Sequence, residues 1–427
     1  MNILILGSGG RENAFAWKIS KSPKCDKIYF APGNAGTASF GQNLPISATD
    51  FECIYKCIQE NNIKLVIVGP EDPLVKGIRN FLLAEKGLKD IIVIGPGKDG
   101  AALEGSKDFA KKFMLKHQIP TAGSVTFYPY QYEEGLKYLS TAKTPIVLKA
   151  DGLAAGKGVV IDDTNQKAQA TLKSMLLDKV FGDAGSKVVI EEYLEGIELS
   201  VFVLTDGKNY VVLPEAKDYK RIGEGDTGPN TGGMGAISPV GFADKAFMEK
   251  VEERIIKPTI RGLAEDNLDY VGFIFIGLMK VKDDPYVIEY NVRMGDPETE
   301  TVLPRIKNDL VDVFEAVHRQ GLDKIKLDID ERTAATIVLV SKGYPGAYEK
   351  GKKIEGLEHV KDAFVFHSGT SFDAENDVVT NGGRVLALTG LGKNIDEALN
   401  FAYGAAETVC YQGIQFRKDI GRDIINA

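Results

Sequence analysis

The stretch DPYVIEYNVRMGDPETE, residues 284 to 300, is the densest in groups that can do chemistry. Glu289 and Asn291 stand two apart in a strand-like run, so both side chains project from one face. A carboxylate and an amide oxygen are hard donors of the kind that hold Mg²⁺ between a protein and the phosphates of a nucleotide. Arg293 keeps the same parity, and Asp296 and Glu298 follow beyond the strand end. An alternating polar face on a half-exposed strand is the plainer reading. Charges of both signs running into GDPE favour a metal–phosphate site.

Upstream, VLKADGLAAGKGVVI (147 to 161) sets glycines and lysines between two apolar runs. It is not a Walker loop, which reads G-x-x-x-x-G-K-[ST] between a strand and a helix. Here only three residues separate Gly152 from Gly156, Lys157 is followed by Gly158, and both flanks look like strands. The stretch reads as a hairpin whose glycines let backbone amides approach a phosphate, with Lys149 and Lys157 supplying charge. In VVIEEYLEGIELSVFVL, Glu191 and Glu192 close one strand and Glu198 opens the next. Adjacent acids there are ordinary turn residues; beside a nucleotide they also suit a hinge that reads adenine and takes ribose hydroxyls. The segment 214 to 238 carries six glycines and little apolar content. A loop of that length in a compact domain usually has a function or is disordered. Lys217, Lys220 and Arg221 offer it charge for an anion, and Asp218 and Asp226 for an amine.

The elements that must position these groups follow from periodicity. Residues 1 to 102 alternate strand and helix: NILIL, RENAFAWKISKS, KIYFA, FECIYKCIQENN, KLVIVG, VKGIRNFLLAEKG and IIVIG. That rhythm predicts a parallel sheet with helices on both faces, and ligands beyond its carboxyl edge. Four glycine-bearing loops, GSGGRE, APGNAG, GPEDP and GPGKDG, fall on that edge as a small-molecule rim. A dinucleotide fingerprint fails twice, because Glu12 takes the third glycine position and no acid closes the second strand. Residues 103 to 118, LEGSKDFAKKFMLKHQ, read as one amphipathic helix.

Composition narrows the function further. At 427 residues the chain exceeds one core and should split into domains. A net charge of −8 without a Lys/Arg-dense run argues against nucleic acid. Apolar runs stay near strand length, too short to span a bilayer, and MNILILGSGG reads as a first strand rather than a signal peptide. Four cysteines without CxxC pairing and four scattered histidines give no zinc pattern and fit a reducing cytoplasm.

The glycine hairpin, EEYLEGIE and EYN, in that order, resemble the ATP-grasp fold. GSGGRE, GPEDPLVKGI, LEGSKDFAKKF, GDTGPNTGGMGA and NVRMGDPETE resemble one family within it, the phosphoribosylamine–glycine ligases (glycinamide ribonucleotide synthetases). SKGYPGAYEKG and GGRVLALTGLG carry the likeness into the last hundred residues. The resemblance implies an α/β and α+β chain: an N-terminal parallel-sheet substrate domain (1–102), a central ATP-grasp domain (103–120 and 190–328), a small mobile ATP lid (121–189) and a mixed C-terminal domain (329–427). It implies that ATP, glycine and 5-phosphoribosylamine give glycinamide ribonucleotide, ADP and phosphate through a glycyl phosphate, an early step of purine synthesis. Such a reaction needs no covalent enzyme nucleophile, in keeping with a sequence that offers no Ser/His or Cys/His pair.

Carried over by motif, Lys107 and Lys149 touch ATP, and Gly152, Gly156, Lys157 and Gly158 form the lid. Glu191, Glu192, Tyr193 and Leu194 form the adenine hinge, Glu198 takes the ribose, and Arg221 and Asn230 lie near the phosphates. Glu289 and Asn291 hold Mg²⁺ or Mn²⁺. Arg293 clamps the glycine carboxylate or the transferring phosphoryl group, Asp218 meets the glycine amine, and Gly9, Gly10, Arg11 and Glu71 face phosphoribosylamine. Arg293, Lys149 and Asp296 make up the implied catalytic set. A cytoplasmic monomer is implied, with no nucleic-acid or membrane partner and room for a transient contact with the enzyme that makes phosphoribosylamine. The chain departs from the family pattern at Asn13, Lys217 and Tyr219, where His, Gln and His are usual, and at Met294.

Overall fold

The computed structural model describes residues 1–154 and 158–425, so Gly156 and Lys157 of the hairpin lie outside the described residues. The chain opens with β1 (Asn2–Gly7), α1 (Gly10–Ile19), β2 (Lys27–Pro32), β3 (Gln42–Asn43), α2 (Phe51–Glu60), β4 (Ile63–Val68), α3 (Glu71–Lys76), α4 (Ile78–Ala84) and β5 (Ile92–Ile94). Its strands form one parallel sheet in the order β3-β2-β1-β4-β5. Ile3, Leu4, Ile5 and Leu6 are fully buried, as a strand covered on both faces requires. The predicted helix over VKGIRNFLLAEKG is instead two, because Gly77 adopts φ +90° and ends α3 before α4 begins.

The predicted helix 103–118 is likewise two pieces, α5 (Lys98–Gly105) and α6 (Lys107–Lys116). Ser106 is extended, and its hydroxyl accepts the Phe109 amide as the cap of α6. Then come β6 (Ser124–Phe127), α7 (Tyr132–Thr141), β7 (Ile146–Ala150), β8 (Val159–Asp162), α8 (Asn165–Leu176) and β9 (Val188–Glu192), with an antiparallel sheet in the order β6-β9-β7-β8. This unit closes a core of its own from Phe127, Leu148, Leu172 and Ile190.

The chain continues through β10 (Ile197–Thr205), β11 (Tyr210–Val212), β12 (Lys217–Asp218), β13 (Arg221–Gly223), β14 (Thr227–Asn230), β15 (Gly235–Ser238), α9 (Lys245–Val251), α10 (Lys257–Glu265), β16 (Gly272–Val281) and β17 (Asp284–Asn291). The central sheet runs β11-β10-β16-β17. Its two faces join the two cores that also cover the N-terminal sheet, through Val201 and Ile276 on one side and Phe202 and Phe275 on the other. After α11 (Glu298–Val302) and α12 (Leu310–His318) come β18 (Thr333–Ser341), β19 (Ala363–His367), β20 (Thr370–Phe372), β21 (Val378–Thr380), β22 (Arg384–Gly392), α13 (Ile395–Thr408), β23 (Ile414–Gln415) and α14 (Arg422–Ile425). The last large sheet runs β12-β15-β18-β22-β19, with β23 beside β18. The segment 214–238, expected as a loop, is thus a set of short strands. Two of them enter the C-terminal sheet, while Ala216 bridges to Ser200 of β10. Among the described residues no helix is long and apolar enough to cross a membrane.

Candidate active site

β17 delivers Glu289 and Asn291 beside one another, and Gly277 across from Glu289 makes the space: a Cβ there would stand 3.2 Å from Glu289 Cγ. Burial pushes the Glu289 carboxyl up, but Lys220, Lys149 and Lys107 outweigh it and hold it below the usual carboxylate range. Asn291 Oδ1 accepts from Arg293 Nη2 at 3.2 Å, while its Nδ2 is buried with no partner among the described residues. An ionised carboxylate next to an amide oxygen, which accepts one bond from Arg293 and keeps a second lone pair, is a hard donor set that fits a divalent cation taking its other ligands from phosphates.

The lysines converge from two elements, β7 and α6. Lys149 of β7 is buried, pairs with Glu191 Oε2 at 3.0 Å and donates to the Ile288 carbonyl at 3.1 Å. Lys111 of α6, which sequence reasoning missed, pairs with that same oxygen at 3.1 Å and donates to Thr121 Oγ1 at 2.8 Å. Burial pushes its ammonium down to about 8 against the pull of Glu191. Lys107, at the start of α6, donates to the Gly152 carbonyl at 3.2 Å. Burial lowers it, Glu289 opposes and Lys149 adds to the fall. Crowded ammoniums that lose affinity for their own protons form a site for a polyanion. The Glu191 side chain is a buried brace between two lysines. Glu192 Oε1 accepts the Gly123 amide at 2.8 Å, and Tyr193 and Leu194 lead away from the strand end toward the surface. Gly152 packs so closely that a Cβ would meet Ala184 Cα at 2.9 Å, and the Gly158 carbonyl accepts the Ala150 amide at 2.8 Å.

Strand periodicity splits β12 and its neighbours into two faces. Asp218 and Lys220 share one. Lys220 reaches Glu198 Oε2 at 2.9 Å and lies 3.9 Å from Asp218, and these three line a small cavity with Glu289 and Ser200. Glu198 falls below its ordinary range because Lys220 outweighs burial, whereas burial drives Asp218 up. Beside them Glu298, the first residue of α11, is buried, and its carboxyl is raised to about 7 by burial first and by Asp218 next. Ser200 Oγ donates to it at 3.4 Å.

A second focus lies where the N-terminal rim meets β17. Arg293 Nη2 pairs with buried Glu104 at 2.8 Å, and its Nε lies 3.4 Å from Glu71. Glu71 is lowered because Arg293 and Arg11 outweigh burial; Glu104 is raised because burial wins there. The GSGGRE turn is largely satisfied from within: Glu12 Oε2 accepts the Gly9 amide at 2.6 Å, and Asp296 Oδ2 accepts the Arg11 amide at 3.3 Å. Gly10 is packed so tightly that a Cβ would meet the Glu300 carboxyl. The Arg11 side chain is buried, bonded to Glu12 at 2.6 Å and to the Met294 carbonyl at 3.1 Å. Glu12, where a dinucleotide fold keeps glycine, therefore caps its own helix. Of the four rim loops, GPGKDG docks inward instead, its Gly95 and Gly97 amides donating to the Val271 and Asp269 carbonyls. A cavity of about 500 Å³ opens between the rim and the C-terminal sheet, lined by Ser8, Gly9, Asn34, Asp296, Thr370 and Arg384 among others. Arg384 pairs with Asp296 at 3.1 Å, and together with Arg11 it outweighs burial to keep that carboxylate low.

Arg221 and Asn230 face one another across the β13–β14 ribbon, where Arg221 donates to the Gly228 carbonyl at 2.7 Å; the described contacts do not join them to the lysine cluster. The departures at 13 and 219 also point away from it. Asn13 Oδ1 accepts the His367 amide at 3.0 Å, and Tyr219 donates to Asp423 at 2.6 Å. Lys220 and Glu298 had a signal in parity and motif. Glu104 and Lys111 lie in LEGSKDFAKKF and Arg384 in GGRVLALTGLG, motifs that carry the family likeness, but nothing in their type or spacing marked them as site residues.

Family models match along the chain: the phosphoribosylglycinamide synthetase N domain over residues 1–104, its ATP-grasp (A) domain over 105–299 and its C domain over 334–423. Proteins named phosphoribosylamine–glycine ligase from Yersinia pestis and Clostridium acetobutylicum are 45% and 46% identical, over 99% of this chain and 98% and 100% of theirs. The crystal structure of phosphoribosylamine–glycine ligase from Thermotoga maritima superposes with a TM-score of 0.85 at 36% identity, covering 98% of this chain and all of that one. A biotin carboxylase domain from Hydrogenobacter thermophilus, at 15% identity and a TM-score of 0.72, shares the fold. The chain belongs to the phosphoribosylglycinamide synthetase family.

Proposed function

We propose that this protein joins glycine to 5-phosphoribosylamine at the expense of ATP, giving glycinamide ribonucleotide, ADP and phosphate in purine biosynthesis. The observation that carries this reading is an ionised Glu289 facing three lysines beside the Asp218–Lys220–Glu298 group, in a chain matched end to end by relatives named for that activity. Glycine's carboxylate attacks the γ-phosphorus of ATP and ADP leaves; the amine of phosphoribosylamine then attacks the glycyl phosphate carbonyl, and phosphate leaves. Lys107, Lys149 and Lys220 neutralise the phosphates. Glu289 and Asn291 would hold Mg²⁺ or Mn²⁺, which supplies further charge neutralisation on the transferring group. Asp218 and Glu298 receive the glycine ammonium, Arg293 its carboxylate, and the cavity bounded by Gly9, Asp296 and Arg384 receives the phosphorylated sugar. The unit 121–189 is the ATP lid, a role supported by its separate core. A cytoplasmic location is supported by four unpaired cysteines.

ADP release from MgATP should require both glycine and phosphoribosylamine, the latter formed in place from ribose 5-phosphate and ammonia. ATP binding without such turnover would redirect the assignment to another carboxylate and amine. A pH dependence follows as well. Glu298 faces Asp218, Lys220, Arg293 and Ser200, and it must be ionised to hold an ammonium. KM for glycine should therefore fall as pH rises through about 7, by up to tenfold per unit below it. Glu298→Gln should flatten that profile. The sign for stability is opposite. Through this group the ligand-free fold weakens as pH rises from the ordinary carboxylate range to about 7, because the folded chain keeps a proton that the unfolded chain has released.

A further inference from the structure

The back face of β12 is as occupied as its front. Lys217 and Tyr219 alternate with Asp218 and Lys220, so they point away from the site, and one side chain, Asp423 of α14, meets both. Tyr219 donates to Asp423 Oδ1 at 2.6 Å, and Lys217 forms an ion pair with Oδ2. The Gly421 amide donates to the Tyr219 hydroxyl at 3.1 Å, and the Arg417 guanidinium lies 5.4 Å from the Tyr219 ring centre. Tyr219 is 2% exposed, within the C-terminal core. The grip extends along the segment. Arg417 Nη1 donates to the Arg221 carbonyl at 3.1 Å and to Asp226 Oδ1 at 2.7 Å, and Asp419 Oδ2 accepts the Gly225 amide at 2.7 Å.

We propose that residues 417–423 are a strap that sets the position of Asp218 and Lys220 from behind, with Asp423 and Tyr219 as its positioning residues. The physical ground is the shortness of β12. Backbone bonds carry the pairing past the two-residue strand, from the Tyr219 amide to the Gly235 carbonyl at 3.0 Å and from the Thr231 amide to the Lys220 carbonyl at 2.7 Å, and the Asp423 contacts add the grip from the other face. Lys217 and Tyr219 are both spent on Asp423. This proposal rests on the assignment of Asp218 to the glycine ammonium.

The test compares Tyr219→Phe, Asp423→Asn, Asp423→Ala and the Tyr219→Phe/Asp423→Ala pair in the full chain. It measures KM for glycine and for ATP, kcat, Tm, and deuterium exchange of the amides of residues 217–221. Loss of a charge-assisted hydrogen bond should raise KM for glycine about tenfold in Asp423→Ala, with KM for ATP changed less than about threefold. The double variant should be little worse than Asp423→Ala, since the Tyr219–Asp423 bond is common to both changes and only the Gly421 amide's bond to the Tyr219 hydroxyl is lost in addition. Asp423→Asn keeps the shape and an acceptor, so it should fall between wild type and Asp423→Ala. A lowered Tm with KM for glycine and exchange at 217–221 both unchanged overturns the strap. Asp218→Asn separates the two ideas. If that variant keeps the wild-type KM for glycine, the assignment of Asp218 is wrong, and exchange at 217–221 alone decides whether the strap holds.

Discussion

Glu289→Ala is expected to fold normally and to lose ADP release by about a thousandfold or more. The site loses a carboxylate that faces Lys107, Lys149 and Lys220 together, and with it a hard donor for a divalent cation. Removing an anion from among three ammoniums leaves repulsion in the ligand-free protein, but phosphates supply the missing charge, so ATP binding should persist. Titration of ATP with and without Mg²⁺ checks this: wild type should bind more tightly with the metal, and the variant should show little difference. Glu289→Gln, which preserves volume and hydrogen bonding, should fail as completely. Unchanged turnover in either variant would remove Glu289 from the metal assignment.

The second large effect is expected at Arg293, which ties β17 to the N-terminal rim through Glu104 at 2.8 Å and Glu71 at 3.4 Å. Arg293→Met should lower kcat by about a hundredfold to a thousandfold, since the guanidinium is the cation placed for the glycine carboxylate or the phosphoryl group. It should also cost roughly 3 kcal/mol of stability, because Glu104 is left buried without its partner. A second change, Glu104→Gln, should restore most of the Tm and none of the turnover. Arg293→Lys retains charge but not the planar fork that serves Glu104 and Asn291 from one group, so it too should stay impaired. Recovery of activity along with Tm in the double variant would reduce Arg293 to a structural role.

What could be read in advance divides along physical lines. Strands such as β1 and β4 were legible because burial on both faces leaves an unbroken apolar run. The helix breaks at Gly77 and Ser106 were hidden because the amphipathic pattern continues across them, although a serine before KDF is itself a capping signal. β12 to β15 were invisible: strands of two to four residues have no period to detect, and β15 takes its long edge from β18, about a hundred residues on. In the site, residues whose type is unusual for their place stood out, such as Glu289 and Asn291 on a strand or Lys149 before a glycine run. Lys111 looked like any lysine on a helix, and only tertiary burial against Glu191 distinguishes it. Tyr219 stood out only as a departure from the family pattern, and its hydroxyl is bonded to Asp423.

The stitching of residues 214–238 between two sheets bears on how such a chain can be divided and inherited. β15 is fully buried because β18 covers one edge, and β12 covers the other. A gene cut ahead of β18 would leave β15 with a naked, apolar edge, a template for pairing with other chains. The C-terminal part is therefore no detachable cassette. Recombination that exchanges it must bring a matching β15 and Asp423 partner set along.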